Sequence, residues 1–215
     1  SLQISGTAAT GAAIVAGTVE AKCKVGTGTG TTNSTGNYTL EVISGEQPCI
    51  LRVTDPITLI QLHSVVEAGA NNANITPATD LVVANTLAES PTTTFTNYAA
   101  VHQQKITATN ISAAVTRVQT ATAALGADAD MTGIDIMKGT LQAATVDTLG
   151  NAADSKLDAL MAALAAADKK IPELSTLLAT TTSGSAAATQ LTTLVGTAQY
   201  SLQSCPAARR SEERR

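Results

Sequence analysis

Glycines, histidines, serines, cysteines and carboxylates carry the chemistry open to this chain, and their spacing decides between the options. The stretch VGTGTGTTNSTGNYTL, residues 25–40, alternates glycine as a phosphate-cradling loop does. Such a loop leaves a strand and enters a helix, so that free amides and the helix dipole meet the anion. Here no lysine follows Gly30, and Asn37, Tyr38, Thr39, Leu40, Glu41 and Val42 continue as a strand. The stretch therefore reads as a loop feeding a strand, and a nucleotide cofactor is rejected.

Other constellations fail in instructive ways. Asp128, Asp130 and Thr132 place oxygens at positions 1, 3 and 5 of a calcium-type loop, with glycine at position 6. The twelfth position, where a bidentate acid belongs, is Gly139. These three are a weak metal candidate, and a polar loop using Asp as turn and cap residues is the preferred reading. His63 and His102 are far apart and lack Cys or acidic partners at ligand spacing, so no zinc site is assigned. His63 reads as a strand-edge or packed histidine. Residues 183–186, SGSA, do not form a nucleophile elbow, and no strand precedes them. Glu67, Asp80 and Glu89 could face one cleft, but none is paired in sequence. No catalytic and no cofactor-binding residue is assigned. Asn33, Asn37, Asn74 and Asn110 match the glycosylation pattern, as chance allows in so Thr-rich a chain.

The scaffold that must position these residues has an unusual composition. Its 215 residues suffice for one large domain or two small ones. Aromatics make up 2% with no Trp, while the 44% hydrophobic content is rich in Ala. Each small side chain buries little area, so stability must come from close backbone packing. Charged residues are 14% and the net charge is −4, which argues against nucleic-acid binding. No apolar run approaches the roughly 20 residues of a membrane span. The N-terminal residues lack the basic start and apolar stretch of a signal peptide. The chain is then either cytosolic or has already lost its signal, and the cysteines favour the second. Cys23 and Cys49 fall in two predicted strands of one β unit, where a disulfide is geometrically plausible. Cys205 is left over: free, bridged to another chain, or paired with a segment absent here.

Two textures divide the sequence near residue 75. Before it, period-two alternation over 14–23, 38–43 and 49–54 predicts short strands, with Val19, Ala21 and Cys23 on one face. After it the period is helical. Thr76 and Pro77 start a helix running to about residue 89. Residues 109–125 place Ile111, Val115, Val118, Thr122 and Leu125 on one stripe. Residues 147–169 predict the longest helix, with Leu149, Ala153, Leu157, Leu160, Met161 and Leu164 inward. Pro172 opens a short helix, and 186–202 form a last one. The expected class is α+β in two parts: a small antiparallel β-sandwich over 1–75 and an all-α helical bundle over 76–205. A charged tail, 206–215, follows.

On the residues Gly17 to Val19, Thr31, Thr32, Gly36, Tyr38, Leu40 and Val42, the stretch 3–56 resembles the carboxypeptidase-regulatory-like, transthyretin-like β-sandwich. The resemblance implies a structural turn in which Gly36 takes the left-handed conformation and Tyr38 covers the end of the sandwich. With its Ala-rich helices the whole is similar to uncharacterised secreted bacterial proteins, in which a further region follows the Ser-Cys-Pro element. Here Ser204, Cys205 and Pro206 are followed only by the charged tail, which implies a shortened or processed form. The expected role is that of a non-enzymatic extracellular or cell-surface structural or adhesive protein. It would be a self-assembling, pilus-like subunit, a homo-oligomer or a partner of other surface proteins, with Cys205 available between chains. The alternative is a surface-anchored module for a glycan or small molecule, although three Tyr and one Phe offer few sugar platforms.

Overall fold

Period-two alternation builds the first third of the molecule in the computed structural model, which describes residues 1–203, with side chains to residue 196. Cys205 and the charged run 206–215 lie outside the described residues. The strands are β1 (Leu2–Thr7), β2 (Thr18–Val25), β3 (Thr27–Thr31), β4 (Asn37–Val42), β5 (Glu46–Thr54) and β6 (Gln61–Val66). They form two antiparallel sheets, one of β1 and β4 and one in the order β3-β2-β5-β6. Helices follow: α1 (Pro77–Leu87), α2 (Pro91–Thr96), α3 (Ala100–Gln103), α4 (Ala108–Ala123), α5 (Ala152–Ala166), α6 (Ile171–Leu178) and α7 (Gly184–Gln203). Among the described residues the protein is thus mixed α+β, with six strands and seven helices.

The register of the larger sheet sorts side chains by face. Glu20 lies opposite Arg52, and Arg52 opposite His63, in one cross-strand row. The alternate residues Val19, Ala21, Leu51, Val53 and Leu62 are buried in a core cluster that also holds Ile4, Leu40 and Val42 of the smaller sheet. Residues 71–75 run beside β1, with Ala73 N–H donating to Ser5 O (2.9 Å) and Ile75 N–H to Thr7 O (2.9 Å). That pairing delivers the chain directly into α1.

Thr76 caps α1, its hydroxyl accepting from Thr79 N–H at 3.1 Å while the Thr79 hydroxyl accepts from Thr76 N–H at 2.8 Å. The N-terminus is therefore closed by two threonines, with Pro77 in the first turn, where its missing N–H costs nothing. Ala78, Leu81, Val82, Val83, Ala84 and Leu87 are all buried. A helix apolar all round must be enclosed, and α1 packs on β6, α4 and α6. Helices α4 and α7 pack on one another, and Ala114 and Ala121 of α4 and Ala187 and Leu191 of α7 are fully buried.

Two expectations are corrected. The helix expected over 147–169 is shorter: α5 begins at Ala152, Leu149 is 89% exposed in the preceding loop, and α7 is the longest. Asn151 sets the start, its side chain accepting from Asp154 N–H at 3.2 Å. The glycine stretch is a loop only in part: residues 27–31 form β3, a paired strand with Thr29 opposite Glu20, and 32–36 are the loop that feeds β4. Gly28 and Gly30 face β4, where an added Cβ would lie 2.6 Å from Glu41 O and 3.0 Å from Thr39 O. Glycine carries no apolar signal, so an alternating Thr/Gly strand looks like a loop in sequence.

Close approach, rather than turn geometry, is what requires these glycines. Gly28→Ala is expected to lower unfolding free energy in urea by about 1–3 kcal/mol through overpacking. Gly196→Ala, inside α7 where a Cβ meets no atom within 4 Å, is expected to raise it by up to about 1 kcal/mol.

Candidate functional site

The densest polar cluster grows from α1. Asp80 is buried, and its Oδ1 accepts both from His63 N–H (2.9 Å) and from His63 Nδ1–H (2.8 Å). Its Oδ2 accepts from the Ser175 hydroxyl of α6 at 2.6 Å. The Thr79 hydroxyl donates to His63 O at 2.8 Å, completing the tie to β6. The carboxylate fixes the proton of His63 on Nδ1, and Nε2 is buried without a hydrogen-bond partner. Five residues along α1, the Asn85 amide donates to Leu178 O (2.8 Å) and Thr181 O (3.0 Å), and its oxygen accepts from Arg117 of α4 at 3.0 Å.

Serine, aspartate and histidine meet here, but not in the order catalysis needs. A nucleophile must give its proton to the imidazole, with the carboxylate behind the ring. Ser175 instead bonds the carboxylate. Phe95 of α2 lies against the ring of His63, centroids 5.9 Å apart, and His63 is 1% exposed. Beyond Phe95 stand Arg52, 4.1 Å from the ring centroid, and Lys22, 4.6 Å from it. Lys22 Nζ also donates to Phe95 O at 2.7 Å, and Arg52 pairs with Glu20 at 2.7 Å. These cation–π contacts hold the aromatic plug in place. The geometry serves as an internal strut.

The three carboxylates that could have shared a cleft are separated. Asp80 binds His63, Glu67 pairs with Lys138, and Glu89 Oε2 accepts from His102 Nε2–H at 2.8 Å. His102 Nδ1 in turn accepts from Ala99 N–H at 3.1 Å, which fixes its tautomer. Tyr98 stacks on His102 and donates to Pro48 O at 2.9 Å; burial pushes its phenol up. Asp130 Oδ1 accepts from Thr132 N–H at 2.9 Å, and hydrogen bonding to the Thr132 side chain first, then to this N–H, holds its carboxyl below the usual range. Asp128 lies on an exposed hollow beside Lys156 and Asp158. Among the described residues no group of three His, Cys, Asp or Glu could hold a metal ion.

Gly36 has φ 80, and a Cβ there would meet Ala8 O at 2.5 Å. Tyr38 is buried and donates to Ala73 O at 2.5 Å; burial pushes its phenol up as well. Cys23 and Cys49 are register partners on β2 and β5 and form a disulfide. Of the glycosylation-pattern asparagines, Asn74 is buried, with Thr7 N–H donating to its oxygen and its amide donating to Gly139 O.

Ser175 and Phe95 carried no motif in sequence. The available signal was Asp80 itself, a lone acid in an apolar helix that would need a buried partner. Asp154, in the first turn of α5, is a second such acid: Oδ2 accepts from Ala144 N–H at 3.0 Å, while Oδ1 is buried without a partner. Burial is the main cause that raises its carboxyl; Ala144 N–H opposes and nearby Asp158 adds to the rise. Compared with protein-family models, curated proteins and solved structures, the chain finds no match in any of the three.

Asp80→Ala is expected to cost about 3–5 kcal/mol, because it strands the imidazole and a backbone N–H. Ser175→Ala should cost about 1–2 kcal/mol, and the double variant less than the sum, as measured by urea titration. For Asp154 the folded state binds its proton more tightly than the unfolded chain. Its contribution is most favourable below the ordinary aspartate value and is lost as pH rises through the raised folded value. Asp154→Asn should therefore gain on the parent as pH is raised through that window, measured by denaturation at a series of pH values.

Proposed function

We propose that this chain is a non-enzymatic extracellular or cell-surface structural or adhesive protein, built as a transthyretin-like β-sandwich followed by a helical bundle. The observation that carries this reading is the Cys23–Cys49 disulfide, buried between paired strands. Such bonds persist in oxidising compartments. Support also comes from Asp80, Glu67, Glu89 and His102, each of which is paired inside the fold.

Self-assembly is part of the proposal. In its sheet, β3 has one hydrogen-bonded neighbour, β2. It carries exposed Thr27, Thr29 and Thr31 and none of the Lys or Pro residues that commonly guard an edge. Strand addition from a second subunit is the corresponding mode of association. Size-exclusion chromatography with light scattering, followed by negative-stain electron microscopy, should find concentration-dependent oligomers. Thr29→Lys should shift them toward monomer. A parent chain that stays a monodisperse monomer at high concentration would overturn assembly.

A further inference from the structure

Away from the disulfide and from β3, a groove of about 480 Å³ opens between the β5–β6 turn, α2 and the connection from α5 to α6. That volume lies within the roughly 300–1,000 Å³ of small-molecule sites. Met161, Leu164 and Ile171 line it from the helices, and Leu59 and Ile60 from the turn. Leu59 is 72% exposed with φ 61, a conformation that costs a branched residue about 1–2 kcal/mol. The turn enforces it: Leu59 N–H donates to Asp55 O and Asp55 N–H to Ile60 O, both 3.0 Å. Asp55 Oδ1 further accepts from Ile57 N–H at 2.8 Å. A large aliphatic side chain is thus held out of the core, at the margin of an apolar groove.

Lys169 and Lys170 also line the groove. The chain has seven lysines, and five of them are engaged: Lys22, Lys105 and Lys156 with carbonyl oxygens, Lys24 with Glu46 and Lys138 with Glu67. Among the described residues, the ammonium groups of Lys169 and Lys170 have neither a hydrogen-bond nor an ion-pair partner. Asp168, at φ 54, turns the chain from α5 so that both fall before α6. Glu173, the nearest acid on α6, accepts from Lys170 N–H at 3.1 Å and is committed to closing that helix. Two uncompensated cations beside an aliphatic trough select a ligand with an anionic head and an alkyl body.

We propose that this groove binds a free medium-chain alkyl carboxylate, its chain on Met161, Leu59 and Ile60 and its head between the Lys169 and Lys170 ammonium groups. The site is independent of whether chains assemble. Isothermal titration of the full chain with dodecanoate, below its micelle concentration, should give saturable one-to-one binding. Octanoate should bind more weakly, by about threefold to fourfold per methylene removed, and dodecyltrimethylammonium should not saturate. Lys169→Gln with Lys170→Gln should weaken dodecanoate about tenfold. Ala165→Trp, which fills the groove from an exposed position, should abolish binding with the thermal melt unchanged. Absence of saturable binding overturns the proposal. So does equal binding of the cationic amphiphile, or affinity indifferent to both sets of substitutions. Co-sedimentation with phosphatidylglycerol vesicles should leave the protein in solution; vesicle binding without dodecanoate saturation would assign the face to a membrane surface and overturn it too.

Discussion

In an enclosed helix an unpaired polar side chain is costly, and three of the four polar residues of α1, Thr79, Asp80 and Asn85, find partners, while the Thr86 hydroxyl is buried without one. Each unpaired group in such surroundings costs about 1–3 kcal/mol, and more if charged. Their partners lie on β6, on α4, on α6 and just beyond α6. Satisfying α1 therefore fixes how the sheet and the later helices stand around it. A one-residue slip of β6 would turn His63 to the opposite face and leave Asp80 without its two His63 donors. Apolar burial supplies the bulk of the driving force, but it is non-directional. The hydrogen bonds of α1 make one arrangement preferable to the others.

The same row of the sheet encloses the Ser–Asp–His meeting. Glu20, Arg52 and His63 follow one another across β2, β5 and β6, and Phe95 covers the row from α2. The single phenylalanine of the chain is spent on closing this face. Its ring lies within cation–π distance of Arg52 and Lys22 and against the His63 imidazole, so the polar row is shielded without a thick apolar layer. A protein with few aromatics has placed one where a small side chain could not fill the gap.

Much of the architecture was legible in the sequence. The period-two runs marked β2, β4 and β5, and Thr76 with Pro77 marked the start of α1, because alternation and capping are local signals. Cys23 and Cys49 could be suspected of pairing from their strands alone. The miss at Leu149 came from reading an apolar residue as part of a helical stripe when Asn151 had already set the cap. The miss at β3 came from glycine, whose function there is steric and leaves no hydropathy trace. Ser175 was invisible because its meaning depends on a partner 95 positions away. Lys169 and Lys170 were visible as residues, but their lack of an ion-pair partner is a property of the fold.

Alanine buried in α4 and α7 has a consequence in entropy. Ordering a side chain on folding costs about 0 for Ala or Gly and up to roughly 2 kcal/mol for long flexible residues. Ala114, Ala121 and Ala187 thus bury little area each, but they freeze no rotamers when they pack. A core made this way can close with a small apolar payload, because little side-chain freedom stands against it.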